Sequence, residues 1–470
     1  MSAARPLILI CHPPEKGPEI PFLRRLGERL TADGVDLAVL HTDGADVTPL
    51  AGGAMQVKLT DWRRAGDAAA LPRGGSGGAA VIEAAGRWAT RHPESRLGPE
   101  QAATAAAWVD AIAASALATY RPDLLVVWNG EHDVQVALRQ KAELCGVPIV
   151  RMERAPLPGF GYVSTDGLMG DAAFAKRPIA WPDDVVREQA HACWSAVKAD
   201  LATGGATWYD QPTAGDRLRG RLKVAGDVRL LLFAGQVDAD TQNHFFSPYA
   251  SNLEAFQAVV DGARATERCF VIGKHHPMSD TPAADYRQAV EGVGVWLEDG
   301  SLPQLLGEVD AVAAVNSSVL FESAARGLPT MALGRTLIDA HGGFAPWYPD
   351  DAVGSIAALL DRKTRDADAE RFDDVMAWLL FADLFAFADD AEPGLRGIDA
   401  VARTLRSALP ETPPAFAPVL ADAGRVFELL REGAWAVGKV RRMQDHPLFG
   451  RASQLRKRLR ETVRRARAAL

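Results

Sequence analysis

Four segments of the sequence carry polar side chains that suit chemistry, and each follows a short apolar run. In DAVAAVNSSVLFESAARG, the residues Asn316, Ser317 and Ser318 come directly after a predicted strand. Hydroxyls and backbone N–H groups at the beginning of a helix bind anions, so this turn suits a phosphate. Glu322, about one helical turn further on, is then placed to reach the ribose hydroxyls of the same nucleotide. The alternative is a serine N-cap followed by a solvated acidic residue in the first turn.

A second segment, FVIGKHHPMSD, places three cationic side chains after another predicted strand. These are Lys274, His275 and His276, and Pro277 then fixes the turn. Cations at this position suit a diphosphate or a nucleotide monophosphate leaving group, because they stabilise the charge that develops on it. A polar loop without a function is the alternative. A metal site is disfavoured because no third ligand is evident.

In the third segment, LLLFAGQVDAD, Gln236 follows a predicted strand, and Asp238 and Asp240 come immediately afterwards. Two carboxylates at the mouth of a cleft can stabilise a cationic transition state, act as a nucleophile or bind Mg²⁺. A loop-capping role is equally open for a bare Asp-x-Asp pair.

The fourth group lies in the first half of the chain, where Asn129, Glu131, Glu153 and Asp166 follow predicted strands. One of them is expected to bind the acceptor or to remove the proton of its hydroxyl. Glu153 is favoured because it stands at the end of a strand. Pro156 and Pro158 then predict a stiff loop, so Asp166 has an alternative role as a turn residue.

These segments must be positioned by a parallel sheet, because nearly continuous apolar strands alternate with helical segments. The alternation runs twice, with a pause near residue 220. The sequence therefore predicts an α/β protein with two Rossmann-like, doubly wound domains that face each other across a cleft, followed by a helical C-terminal extension. The predicted boundaries are 1–220 for the first domain, 221–410 for the second domain and 411–470 for the extension.

Composition excludes several classes of protein. The chain is 48% hydrophobic and 24% charged, which predicts a folded, soluble protein and excludes disorder. Its start breaks the apolar run at His12 and Pro13, so we expect no signal peptide or membrane span, and a cytoplasmic location. The four scattered cysteines predict buried thiols and no metal site. They are Cys11, Cys145, Cys193 and Cys269.

Charge is distributed unevenly along the chain. The net charge is −8, yet residues 451–470 alone carry a net +7, which leaves −15 on the first 450 residues. Because the first 450 residues are so acidic, they repel polyanions, which excludes nucleic acid as a general partner. The basic tail has leucines and alanines at helical spacing, which predicts an amphipathic helix on an anionic membrane surface. Packing of the same narrow stripe on the protein itself is the alternative.

Taken in order, the motifs resemble those of the bacterial capsule-polysaccharide glycosyltransferases that use CMP-Kdo. The resemblance covers about residues 120–335, or half of the chain. Its four parts are WNG at 128–130, a Glu-then-Leu-Pro loop with a later Asp-Gly, GQVxxD at 235–240, and KxHP with NSSxxFExxxxGxP at 274–277 and 316–329. One departure is His275, where the family more often has proline or an apolar residue.

The resemblance implies a GT-B-like fold that transfers Kdo with retention of configuration. Asp240 would be the catalytic carboxylate, and Glu153 would serve catalysis near the acceptor. No cofactor or metal is required, and the partners are the CMP-Kdo donor and a glycan or lipid-linked glycan. Such an acceptor fits a cytoplasmic enzyme attached to the inner face of the membrane. The residues expected to hold the donor are Gln236, Lys274, His276, Asn316, Ser317, Ser318 and Glu322.

Other functions share the same features. Transferases of CDP-glycerol or CDP-ribitol use a His-Pro loop and a Ser-Ser turn, and UDP-sugar transferases use a related glutamate on the ribose. A different class of function is a noncatalytic glycan-binding protein or a component of an export complex that has kept the fold.

Overall fold

A computed structural model gives the fold of most of the chain. It describes residues 5–11, 19–41, 55–56, 121–131, 133–203, 218–237, 240–277, 279, 281–361, 366–388 and 396–420, with scattered positions between 106 and 120. The predicted basic tail at 451–470 and Asp238 lie outside the described residues. The described chain forms two compact units: the residues up to Glu153 with those from Ile398 onward, and Arg154–Gly397.

The first unit is built on a parallel sheet with the order β5-β4-β1-β2-β3. Its strands are β1 (Leu7–Cys11), β2 (Asp36–His41), β3 (Met55–Gln56), β4 (Leu124–Trp128) and β5 (Ile149–Arg154). Its helices are α1 (Glu19–Ala32), α2 (Asp133–Cys145) and, from the end of the described chain, α13 (Ile398–Ser407). The strand β4 is buried along its whole length, as expected for a parallel strand that is covered on both faces.

The second unit contains a five-stranded parallel sheet with the order β11-β10-β7-β8-β9. Its strands are β7 (Arg229–Ala234), β8 (Cys269–Lys274), β9 (Gly294–Leu297), β10 (Ala311–Ala314) and β11 (Thr330–Ala332). An antiparallel pair, β6 (Phe160–Ser164) with β12 (Leu384–Ala386), belongs to the same unit.

Helices surround this second sheet. Those before β8 are α3 (Ala173–Lys176), α4 (Asp184–Thr203), α5 (Leu218–Leu222), α6 (Thr241–Phe246) and α7 (Asn252–Arg264). Those after β8 are α8 (Ala283–Ala289), α9 (Leu302–Leu306), α10 (Val319–Ala325), α11 (Ala352–Asp361) and α12 (Asp366–Ala382). Buried side chains from the strands and these helices form its apolar core.

Both sheets have the same topology, because in each the first and the fourth strand in chain order are neighbours. The connections leave these two neighbouring strands in opposite directions, and the place between them is called the topological switch point. Ligands of doubly wound sheets bind there, beyond the carboxyl ends of the strands. In the second unit the switch point lies between β7 and β10. The predicted α/β class with two Rossmann-like units is confirmed.

Two details differ from the predictions. The stiff loop expected after Pro158 is wrong: Gly159 takes a positive φ of 82° and the chain turns back into β6. The N–H of Ala155 donates to the carbonyl of Phe160 across this turn, at 2.9 Å. Of the four cysteines, two are buried as expected, whereas Cys193 and Cys269 are only half-buried.

The domain boundaries predicted at residues 220 and 410 stay predictions, and the second compact unit continues across residue 220. Three helices, α11, α12 and α13, lie between residues 352 and 407, before the helical extension predicted at 411–470, which stays a prediction. Within the described part of the chain, no helix combines the length and the apolar character that a membrane span needs.

Gly273 on β8 allows an indole ring to pack against the backbone. A Cβ atom at this position would lie 2.0 Å from Cε3 of Trp296, far inside van der Waals contact. We expect Gly273→Ala to lower the free energy of unfolding by about 2 kcal/mol or more, because the ring must move out of a packed core. Chemical denaturation of the purified variant measures this change.

The matched control is Gly220→Ala on α5, where a Cβ would meet nothing within 4 Å. Alanine favours a helix over glycine by about 1 kcal/mol, so this variant is expected to be as stable as the wild type or more stable. Equal stability of the two variants would contradict the packing described for Gly273.

Candidate active site

Gln236 and Asn316 join the two strands of the switch point. Gln236 follows β7 and Asn316 follows β10, and both are buried. The side-chain amide of Gln236 donates to Oδ1 of Asn316, and its Oε1 accepts the backbone N–H of Asn316, each at 3.0 Å. This two-point contact fixes the distance between the two turns that leave these strands.

Lys274 ends the next strand, β8, and lies beside the same turn. The N–H of Gly235 donates to the carbonyl of Lys274 at 2.9 Å, and a Cβ on Gly235 would approach that oxygen to 2.7 Å. Glycine is therefore needed for the two turns to meet. The ammonium of Lys274 is buried and donates to the carbonyl of His275 at 2.9 Å. Burial lowers its pKa, and the nearby Asp299 opposes that shift.

His276 follows in the same turn. Burial lowers the pKa of its imidazole to about 4, and the neighbouring Lys274 and His275 add to the effect. The ring is therefore neutral at physiological pH, with one nitrogen as a donor and the other as an acceptor. An anion brought to this turn would favour the protonated ring, because an opposite charge stabilises the charged form.

The serine turn differs from a simple helix cap. Ser318, at the position before α10, has helical backbone angles and makes no side-chain cap, and the hydroxyl of Ser317 accepts the N–H of Val319 at 3.4 Å. Among the residues that the structure describes, neither serine's backbone N–H has a hydrogen-bond acceptor. The two N–H groups are available to an anion.

Glu322 is not the solvated first-turn acid of the alternative interpretation, since it is only 5% exposed. Its carboxylate makes no hydrogen bond to any residue in the described ranges. Burial raises its pKa to about 7, although the positive charge of Arg326 works against the shift. A buried carboxylate without a donor is costly, and donors such as the hydroxyls of a ligand would relieve that cost.

The shifted pKa of Glu322 predicts a pH-dependent stability. In the unfolded chain this group ionises near pH 4.5, whereas in the folded chain it keeps its proton up to about pH 7. The contribution of the protonated Glu322 carboxyl to the free energy of unfolding is therefore full below pH 4.5. It is lost as the pH rises to about 7. Between pH 4.5 and 8 we expect Glu322→Gln to gain up to about 3 kcal/mol of unfolding free energy relative to the wild type.

Urea unfolding at several pH values tests this expectation, with Glu143→Gln on the exposed side of α2 as the control. The control should follow the wild-type pH profile throughout. A constant offset between Glu322→Gln and the wild type across this range would refute a buried carboxylate that ionises near neutrality.

Asp240 lies half-buried in a turn directly before α6. Its N–H donates to the carbonyl of Val237 at 3.0 Å, and its own carbonyl accepts the N–H of Asn243 at 3.1 Å. The buried amide of Asn243 also donates to the carbonyl of Val237, at 2.8 Å. The backbone of this turn is thus fixed to the segment that follows β7 and carries Gln236. In the described ranges, no cluster of His, Cys, Asp and Glu has the geometry of a metal site.

Three of the predicted first-half residues lie together in the first unit. Asn129 adopts a left-handed φ of 66°, which asparagine tolerates, and its amide donates to Oε2 of Glu153 at 2.7 Å. Its Oδ1 accepts the N–H of Glu131, which also pairs with Arg139 at 3.3 Å. Asp166 is not among them, because it occupies an exposed turn of the second unit.

Three residues that support these turns from behind were not predicted from the sequence, namely Asn252, Tyr286 and Trp296. Asn252 accepts the N–H of Gln236 at 3.2 Å and donates to the hydroxyl of Tyr286 at 3.0 Å. The one signal in the sequence was Gly273 inside an apolar strand, since such a glycine often marks the close approach of a large neighbour.

One part of the chain matches the model of a known protein family. Residues 199–343 match the model of the family described as capsule polysaccharide biosynthesis protein. The matched range contains every predicted donor-binding residue, from Gln236 to Glu322. This match supports the resemblance to a capsule-polysaccharide biosynthesis family that was inferred from the motifs, and it covers less than half of the chain. No curated protein sequence matches the chain.

Solved structures resemble the fold partially. The β-Kdo 2,7 transferase of Thermosulfurimonas dismutans KpsC is 15% identical, with 60% of this chain and 84% of that chain covered and a TM-score of 0.38. The β-Kdo 2,4 transferase of the same protein is 13% identical, with 60% and 87% covered and a TM-score of 0.42. The calicheamicin glycosyltransferase CalG4 is 14% identical, with 88% and 100% covered and a TM-score of 0.37.

Proposed function

We propose that this chain is a glycosyltransferase of capsule or surface polysaccharide biosynthesis that moves Kdo from CMP-Kdo to a glycan or lipid-linked glycan. The family match across 199–343 supports the biological setting. One observation carries the assignment of the site: the turns after β10, β7 and β8 meet at the switch point, and Gln236 is bonded to Asn316 there. This is where doubly wound sheets bind nucleotides.

The phosphate of CMP would lie between the cations of one turn and the N–H groups of the next. Lys274 supplies a buried ammonium, and the turn of Ser317 and Ser318 supplies two backbone donors. His276 adds a neutral imidazole that would gain a proton as the phosphate becomes a dianion. Charge on a leaving phosphate is stabilised best by such fixed donors in a site with little water.

Glu322 would accept hydrogen bonds from the ribose hydroxyls. It is buried and lacks a donor among the described residues, and a diol offers two donors to a single carboxylate. Since its pKa is about 7, the ionised form that accepts both bonds is gained as the pH rises through neutrality.

Asp240 would act on the anomeric carbon of Kdo. As the bond from C2 to the phosphate oxygen breaks, its electron pair leaves with CMP and positive charge develops on the sugar ring. The carboxylate of Asp240 would bond to C2 from the opposite face, and the acceptor hydroxyl would then displace it and lose its proton to a base. Two inversions give retention. We assign the base to Glu153, with Asn129, Glu131 and Asp166 as further acceptor-side candidates.

Attachment to an anionic membrane surface through 451–470 remains part of the proposal, because a lipid-linked acceptor is presented at that surface. It rests on the basic composition of this segment alone.

A donor panel tests the proposed function. The purified protein is incubated with CMP-Kdo, CDP-glycerol, CDP-ribitol and UDP-sugars, with and without a Kdo-terminated glycan, and the released nucleotide is measured. We expect the acceptor to stimulate release of CMP from CMP-Kdo, and we expect no nucleotide release from the other donors. Turnover of a CDP-alditol or a UDP-sugar would move the chain to those transferases. Glycan binding without release from any donor would favour a noncatalytic component.

A further inference from the structure

A stacked pair of aromatic rings supports the turns of the candidate site. Tyr286 on α8 and Trp296 on β9 have ring centroids 4.0 Å apart and planes within 10° of parallel. Both are buried, and the indole lies against Gly273 at the end of β8. The pair therefore occupies a fixed position directly behind the strand that carries Lys274.

The indole also holds the side chain of His275. Nε1 of Trp296 lies 3.3 Å from Nδ1 of His275, and the two rings meet edge to face. An indole N–H can only donate, so Nδ1 must be the acceptor and the imidazole proton must reside on Nε2. The backbone N–H of His275 donates to the carbonyl of Leu297 at 2.8 Å, so ring and main chain are both attached to β9.

The other ring of the pair is connected to the turn of Gln236. The hydroxyl of Tyr286 accepts from Asn252, which in turn accepts the backbone N–H of Gln236. Because Gln236 is bonded to Asn316, a continuous series of contacts links Trp296 to the turns after β7, β8 and β10. The three turns are thus held by one buried structure.

We propose that Trp296 is a positioning residue for nucleotide binding: its indole N–H holds His275 in the Nε2-protonated tautomer and so sets the backbone of the turn that presents Lys274 and His276. This inference rests on the proposed function, since it names the part of the site that the phosphate would meet. It explains how this chain accommodates histidine at 275, because Nδ1 of the imidazole is hydrogen-bonded to the buried indole.

The test removes the N–H of the indole together with part of its ring system. Trp296→Phe keeps an aromatic ring for the stack with Tyr286, and CMP affinity is measured by calorimetry. One lost hydrogen bond of a positioning group corresponds to a loss of affinity of up to about tenfold, which we expect here. Long-range ¹H–¹⁵N spectra report the tautomer of His275, which we expect as Nε2–H in the wild type and as a mixture in the variant.

Trp347→Phe is the matched control, because Nε1 of Trp347 donates to the hydroxyl of Tyr249 at 2.7 Å in the same unit. It removes an equivalent hydrogen bond, and CMP affinity should stay within about twofold of the wild type. A double-mutant cycle with His275→Phe completes the test, since Trp296→Phe should add no further loss in that background.

Three results would overturn the inference: wild-type affinity in a stably folded Trp296→Phe variant, a full additional loss in the His275→Phe background, or a proton on Nδ1 of His275 in the wild type. The last measurement decides the matter even if the Trp296 variant fails to fold. Absence of CMP binding in the wild type and in all variants would instead overturn the proposed function. That outcome is distinguishable from CMP binding that the Trp296→Phe substitution leaves unchanged.

Discussion

Asp240→Asn is expected to bind CMP as the wild type does and to lose sugar transfer by about a thousandfold or more. The substitution keeps the size and the hydrogen-bonding backbone of the turn, where Asp240 contacts Val237 and Asn243 through main-chain atoms. It removes only the negative charge and the nucleophilic oxygen. Since neither takes part in holding the nucleotide, affinity and turnover should separate in this variant.

Steady-state release of CMP from CMP-Kdo and calorimetry with CMP measure the two quantities. Asp285→Asn, on the exposed side of α8 in the same unit, is the control and should leave both unchanged. Turnover by Asp240→Asn close to the wild-type rate would remove this residue from the mechanism. A parallel loss of CMP affinity would assign it to binding.

Lys274→Met is expected to weaken CMP binding by about 10- to 100-fold, the range for losing a hydrogen bond that involves a charged group. Methionine preserves the length and the apolar stem of the side chain, so the loss reports the ammonium. The ammonium is buried and its pKa is lowered by burial, which means that the folded protein holds a poorly solvated charge beside the site. A bound phosphate would stabilise that charge.

Lys223→Met serves as the comparison, because Lys223 is exposed and lies before β7 at a distance in sequence from every predicted site residue. It removes the same charge from the protein as a whole. If both variants weakened CMP binding equally, the loss of affinity in Lys274→Met would come from the change in the net charge of the protein and not from a contact of Lys274 with the phosphate. Unchanged affinity in Lys274→Met would show that the phosphate lies elsewhere.

The fold was predictable from the sequence where apolar runs were continuous. Strands such as β4, β7 and β10 are short, fully apolar and separated by helices, a pattern that parallel sheets require. The strand β6 was not predicted, since two prolines precede it and Gly159 makes the turn by which it folds back. Three-residue strands such as β12 have too few residues to show the alternation of apolar and polar side chains by which a strand is predicted.

The candidate site was predictable in part for a topological reason. Residues that follow parallel strands gather at one edge of the sheet, which placed Lys274 and Asn316 correctly relative to Gln236. The contact between Gln236 and Asn316 joins residues 80 positions apart, and the sequence contains no sign of it. The same holds for the burial of Glu322 and for the indole of Trp296 at His275, because both depend on packing between distant elements.

The most direct measurement of the central claim is a crystal structure of the protein with CMP bound. We expect the phosphate oxygens to lie within hydrogen-bonding distance of Lys274 and of the backbone N–H groups of Ser317 and Ser318, and the ribose hydroxyls to donate to Glu322. A nucleotide bound away from the carboxyl ends of β7, β8 and β10, or with its phosphate turned from Lys274, would contradict it.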